Sequence, residues 1–355
     1  MDVISKPQKP KATSKDQLAE AIGHVQDAAG QLFEQDARVH AVGVGIATDG
    51  TPVYRAVRNK KKIVAQSATL TLKAANAIVK APFPIVFVDA QNDAAPLYRM
   101  PFSGAAALGA SAQPEQQLKR PLRCGLQIQN FDDDSRQRVF ASGHIIVGSI
   151  GCFVQKDGQG PFILSNNHVV AGENRGKAND RILQSGNISF DTTQFVAKLG
   201  QFVKIKFSPT DASVADGTVV FNDVDAGIAR VAAGIDSKNA YLSGRTGVKP
   251  PTKLGVAKHD DAVSKVGRTT GLTRGTVTSI ATIVGPVTYD KKPAWFRNSI
   301  EIEGVSGTSF SDHGDSGSAI VNSNGELVAL LYAGNGTQTY ACPIDAVIVA
   351  LGITI

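Results

Sequence analysis

Ser316 stands in Phe310-Ser311-Asp312-His313-Gly314-Asp315-Ser316-Gly317-Ser318, a setting that suits a nucleophile. A serine hydroxyl attacks poorly at neutral pH unless a base takes its proton and donors receive the charge growing on the substrate oxygen. Gly314 and Gly317 carry no side chains, so the backbone can turn tightly and a carbonyl can approach the amides of Gly314 and Ser316. Small polar residues at a strand end are also what an ordinary turn looks like, and Gly304-Val305-Ser306-Gly307 is a second such stretch. Nor is Ser316 in a G-x-S-x-G elbow, because position 318 is Ser. A base and an acid must come from elsewhere in the chain.

Two segments offer them. Phe162-Ile163-Leu164-Ser165-Asn166-Asn167-His168-Val169-Val170-Ala171 sets a histidine just after an apolar strand, where its imidazole stands over a cleft rather than inside a core. Asn222-Asp223-Val224-Asp225-Ala226-Gly227-Ile228-Ala229 sets an acid just before another apolar strand. The order histidine, acid, serine is one in which such triads occur. With these segments in place, and with Val266-Gly267-Arg268-Thr269-Thr270-Gly271-Leu272-Thr273-Arg274-Gly275 between the last two, the chain resembles a trypsin-like serine peptidase of the chymotrypsin fold over about residues 120–355. A weaker resemblance to intracellular bacterial members and plant narrow-leaf members with an extra N-terminal α/β domain extends to the whole chain. It rests on Val42-Gly43-Val44-Gly45, Leu164-Ser165-Asn166-Asn167-His168 and Leu331-Tyr332-Ala333-Gly334.

The resemblance implies that Ser316 attacks a carbonyl, that His168 takes and returns the proton, and that Asp225 orients the imidazole, with Asp223 as the rival acid. It implies an oxyanion hole at the amides of Gly314 and Ser316, and a substrate pocket near Phe310, His313, Tyr332 and Gly334. Phe310, six residues before the serine, argues for a shallow or apolar pocket rather than one selecting Lys or Arg. Secreted relatives form their site when a freed apolar N-terminus pairs with the acid before the serine, here Asp315. No Ile-Val-Gly-Gly follows a cleavage site in this sequence, so Asp315 is expected either to be satisfied by internal hydrogen bonds or to organise the site on a signal.

The elements that must hold these residues are legible in outline. The 355 residues include 35 Gly and 16 Pro with 42% hydrophobic and 19% charged content, which describes a turn-rich globular chain with more β than α. Residues 1–13 read as a mobile basic arm. Ser14 with Gln17 makes a capping-box pattern before an amphipathic helix from Lys15 to Gln35. Strands from Val39 to Thr48 and Thr51 to Arg58 are joined by the Asp49-Gly50 turn, and Gly43 and Gly45 imply something packed closely over the first. A helix over Ala68 to Lys80 and a strand over Ile85 to Val88 complete a small α+β domain, residues 14–93, suited to oligomerisation or recruitment. Residues 94–120 have linker composition, with a short ordered piece around Leu97 to Phe102. Beyond them, short apolar stretches at 143–147, 151–154, 162–164, 218–221, 226–231, 262–266, 275–280 and 327–331 predict an all-β double barrel over 121–355. The fold class expected is therefore an α+β N-terminal domain followed by an all-β two-barrel chymotrypsin-like domain.

A net charge of +6 admits acidic partners, but the Lys60-Lys61-Lys62 run beside a hairpin reads as a solvated face, and nucleic acid is not the expected partner. Cys124, Cys152 and Cys342 fit neither a disulfide framework nor a zinc site, and Cys152 reads as a buried small hydrophobe. No cofactor and no metal are expected. Met1 to Pro7 show no signal-peptide core and no run approaches a membrane span, so the setting expected is cytoplasmic without membrane attachment. The function expected is a cytoplasmic serine endopeptidase of narrow, regulated specificity acting on a protein or peptide, with a homo-oligomer open to it. The alternative is a latent or inactive trypsin-fold scaffold that binds a protein or nucleic-acid partner.

Overall fold

The computed structural model describes residues 13–62, 75–76, 79–97, 99–101, 113–132, 144–185 and 192–355. The basic arm, most of the helix expected over 68–80 and the middle of the expected linker lie outside these residues.

Helix α1 (Lys15–Gln35) forms where Ala21, Val25, Ala28, Ala29 and Leu32 recur at helical spacing, and these are the residues it buries. The capping box does not form. Ser14 caps the helix through its carbonyl, which accepts the amide of Leu18 at 3.0 Å, and its side chain makes no capping bond. Strands β1 (Val39–Ile46) and β2 (Pro52–Asn59) make the expected antiparallel hairpin, in whose turn Asp49 accepts the Thr51 amide at 2.9 Å. Strand β3 (Ile85–Ala90) runs parallel to β2.

The N-terminal unit does not end its sheet at its own border. β1 pairs antiparallel with the long strand Gly271–Tyr289, Ala41 opposite Val284 and Val42 opposite Ile283, so β1, β2 and β3 extend a twelve-stranded sheet built mainly from the C-terminal half. The crowding anticipated at Gly43 comes from that partner, since a side chain there would overlap Ser279 and Thr282. α1 covers the junction, and Val25, Ala28 and Leu32 share an apolar cluster with Val42, Ile283 and Trp295. Arg55 of β2 reaches across to the buried Glu301 at 2.6 Å.

A second sheet has eight strands. In it Gln159–Ser165 lies antiparallel to Gly227–Val231 with Ser165 opposite Gly227. That register decides the site, because the residues just after Ser165 and those just before Gly227 leave the sheet side by side. In the first sheet Ala319–Asn322 pairs antiparallel with Glu326–Gly334, so the turn carrying Ser316 leads into a strand whose neighbour is the Leu331-Tyr332-Ala333-Gly334 segment. One core joins the sheets, with Leu164 and Ile228 clustered with Tyr289, Phe296, Leu330 and Tyr332.

Most expected strands are present. The exception is 218–221, where only Phe221–Asn222 pairs, in parallel with Trp295–Phe296, because Val219 and Val220 follow an irregular turn around Gly217. Strands Phe195–Phe202, Lys292–Gly304 and Gln338–Pro343 and the helix Ile344–Leu351 were not anticipated. The described ends of the expected linker are docked. Strand β4 (Ala95–Pro96) pairs with Glu326–Gly334, and Arg99–Pro101 pairs with His144–Ile146. Further on, the buried Glu115 holds Arg245 at 2.5 Å. No helix among the described residues is long and apolar enough to cross a membrane.

Candidate active site

His168 lies in the short helix Asn167–Val170 that follows Ser165, and Asp225 lies in the loop that enters Gly227–Val231. The side-chain amide of Asn166 donates to the Asp225 carbonyl at 2.6 Å, tying the two loops together. Both ionisable side chains are fully buried. The His168 ring bonds through Nδ1 to Asp225 Oδ2, and the His168 amide donates to Oδ1 at 3.2 Å. The Tyr289 hydroxyl donates to Oδ2 at 2.9 Å, and the Asp225 amide donates to the Cys342 sulfur at 3.2 Å. A carboxylate on Nδ1 selects the tautomer with its hydrogen there, which leaves Nε2 with a lone pair able to take a proton. Asp223, two residues away, is half exposed and pairs instead with Arg297 at 2.8 Å.

Ser316 is buried, and its hydroxyl donates to the Tyr332 carbonyl at 3.3 Å. Its turn needs glycine at two points. Gly314 and Gly317 have φ of 99° and 87°, the left-handed region, and a side chain on Gly317 would run into Ser165 and the Ser149 carbonyl. Ser149 pins the turn from the other sheet, its amide donating to the Ser316 carbonyl at 2.8 Å and its hydroxyl to the Gly314 carbonyl at 3.0 Å. In this turn the amides of Gly314 and Ser316 converge on one acceptor, the carbonyl oxygen of Leu97, at 2.6 and 3.4 Å. Two amides meeting on one oxygen is the arrangement that stabilises a developing oxyanion.

Asp315, between those amides, has its partners inside the fold. Lys265 Nζ lies 3.1 Å from Oδ2, which also accepts the Thr270 hydroxyl at 2.7 Å and the Asp312 amide at 3.0 Å. Oδ1 accepts the amides of Thr269 and Thr270 at 2.8 and 3.2 Å. Lys265 is fully buried, and burial pushes its ammonium below the ordinary lysine range while the Asp315 charge opposes that shift. Beside it, burial lowers the Arg268 guanidinium to about 10. The acid just before Ser316 thus has an ammonium from within the chain as its partner.

The residues expected around the pocket separate. Phe310 is buried in an apolar cluster with Leu97, Ile320, Leu331 and Ala341. A side chain on Gly334 would come within 3.0 Å of Leu97 Cδ1. Tyr332 contributes its carbonyl to Ser316, while its buried hydroxyl bonds Ser299 at 2.9 Å. His313 is exposed, and its carbonyl accepts the Thr269 hydroxyl. His40 of β1 is buried against Asn335 and Tyr340, next to the Gly334 wall, and burial lowers it to about 4.

Sequence reasoning missed Tyr289, Ser149, Leu97 and Lys265. Only Lys265 left a signal. It shares a strand face with Val263, so it points inward, and a buried ammonium requires an acid. Cys124, Cys152 and Cys342 are free and buried, and burial raises Cys124 to about 12. Among the described residues no three His, Cys, Asp or Glu side chains gather as a metal site.

The family model of the trypsin-like peptidase domain matches residues 148–330, just over half of the chain, a span that contains His168, Asp225 and Ser316. Among solved structures, a chymotrypsin from Cellulomonas bogoriensis is 18% identical and aligns with 58% of this chain and 89% of its own, at a TM-score of 0.39. Protease A from Thermobifida fusca is 17% identical over 59% of this chain and 90% of its own, at 0.40. A glutamic acid specific serine protease is 20% identical over 66% of this chain and all of its own, at 0.44. No curated protein matches. The family match covers the segments that carry the histidine, the acid and the serine, and on it this chain belongs to the trypsin-like peptidases and is a serine endopeptidase.

Proposed function

We propose that the chain cleaves peptide bonds through an acyl-enzyme formed on Ser316. His168 Nε2 takes the hydroxyl proton as Oγ attacks the carbonyl carbon, and returns it to the leaving amine. Asp225 holds the imidazole by Nδ1 and stabilises the imidazolium, and Tyr289 holds Asp225. The amides of Gly314 and Ser316 receive the oxyanion, each such donor being worth about 3 kcal/mol in the transition state. The observation that carries this reading is the convergence of those two amides, one of them that of the residue bearing the hydroxyl, on a single carbonyl oxygen. Water then releases the acyl group by the same steps in reverse order of roles.

The reading of an apolar pocket rests on Phe310, whose cluster takes the Leu97 side chain, and on Gly334, which lies against Leu97. The lysine supplied to Asp315 supports a site formed without a freed N-terminus. The cytoplasmic setting rests on the three cysteines, which have no disulfide spacing. The N-terminal unit is read as a recruiting or oligomerisation module that also completes the peptidase sheet. Labelling with a fluorophosphonate probe tests the triad. The wild-type protein is expected to label and Ser316→Ala and His168→Ala are not, while Asp223→Ala labels as wild type. Equal labelling of Ser316→Ala would remove the assignment.

A further inference from the structure

The chain lays part of itself across its own candidate site in the manner of a substrate. β4 adds an antiparallel strand to the segment beside Ser316, Pro96 opposite Ala333 and Ala95 opposite Gly334. Next comes Leu97, whose carbonyl oxygen lies on the amides of Gly314 and Ser316. Its side chain is 5% exposed and sits in the apolar cluster that contains Phe310. Beyond residue 98, Arg99–Pro101 pairs antiparallel with His144–Ile146. An extended peptide added to a sheet edge gains affinity from main-chain bonds and specificity from the pockets that take its side chains. Here residues 95–96 are held in that way on the strand beside Ser316, residues 99–101 are paired in a separate two-stranded sheet, and the Leu97 carbonyl points at the amides of Gly314 and Ser316.

We infer that the chain is its own first substrate, cut between Leu97 and Tyr98, with Pro96-Leu97 as the pair its pocket reads. The inference rests on the peptidase reading above. Ser316 Oγ bonds to the Leu97 carbonyl carbon as its proton passes to His168. The bond from Leu97 to the Tyr98 nitrogen breaks, and His168 protonates the departing amine. The Leu97 ester on Ser316 is then hydrolysed by water, whose proton returns through His168 to Oγ, leaving a Leu97 carboxylate and free Ser316. Until that cut, residues 95–97 exclude any other peptide.

The test uses the full chain at two widely separated concentrations, followed by intact mass and N-terminal sequencing. Two fragments are expected, one ending at Leu97 and one beginning at Tyr98, appearing at a first-order rate independent of concentration. Ser316→Ala stays whole. Leu97→Glu, which forces a charge into the apolar cluster, is cut at least about 100-fold more slowly, and Leu97→Met within about tenfold of wild type. The latter keeps the comparison usable should Leu97→Glu misfold. In parallel, fluorophosphonate labelling and hydrolysis of a succinyl-Ala-Pro-Leu anilide are measured on each form. Labelling of Ser316 with a chain that stays whole, or that is cut elsewhere, overturns the inference and leaves the peptidase reading standing. Absence of labelling, anilide hydrolysis and self-cleavage together overturns both.

Discussion

Asp225 and Asp315 are both fully buried carboxylates at the candidate site, and they are held in opposite ways. Asp225 meets groups that carry no fixed charge, the His168 ring, the Tyr289 hydroxyl and a backbone amide. Asp315 meets the Lys265 ammonium, one hydroxyl and three backbone amides. On the proposed reading, the first surrounding leaves the balance of charge to a proton that moves during the reaction. The second removes any such freedom, so that the turn between Gly314 and Ser316 keeps its shape. Chemistry and scaffolding thus use the same residue type, and the partner distinguishes them.

The comparison is broken most severely at Asp225. Asp225→Asn is expected to fold as wild type by circular dichroism and to lose about 10⁴-fold in kcat, because the amide selects the wrong imidazole tautomer. Next is Lys265→Met, which leaves Asp315 without its counter-charge. Urea unfolding is expected to show a loss of about 3–5 kcal/mol, most of it recovered when Asp315→Asn is added. A loss that the second substitution does not restore would mean that Lys265 acts by filling space. Tyr289→Phe sharpens the contrast more gently. It removes one donor from a carboxylate that keeps the others, and kcat is expected to fall about tenfold, or 1.4 kcal/mol, with KM unchanged. Smallest is Asp223→Ala. Its pair with Arg297 lies in solvent and is expected to contribute less than about 1 kcal/mol to stability and nothing to turnover.

What was legible in the sequence follows from how far apart the interacting residues lie. α1 was readable to its ends because its evidence, the recurrence of Val25, Ala29 and Leu32, is contained in the helix itself. The strand boundaries that carry His168, Asp225 and Ser316 were readable from the composition of each, and the structure brings the first two into contact. The long hairpin of Gly271–Tyr289 and Lys292–Gly304 was seen only near 275–280. Its register shifts repeatedly along the pair, and Gly285-Pro286 interrupts the alternation that marks a strand. The docking of residues 95–97 was hidden for a different reason. A segment of Ala, Pro and Leu that borrows a distant strand's backbone has no pattern of its own, so composition alone reads it as a tether. Lys265 lay between these cases, since its face could be counted but the acid it meets is fifty positions away.

The pairing of β1 with Gly271–Tyr289 has a consequence for solubility. A sheet whose outermost strand lost its neighbour would offer a row of unpaired amides and carbonyls, a template for another chain to add to. The hairpin of β1 and β2 covers that row and α1 covers the apolar surface beside it. A chain severed after Leu97 would therefore persist as a nicked two-piece molecule, its pieces held by shared main-chain bonds and a common core. The C-terminal piece produced alone would be the aggregation-prone form.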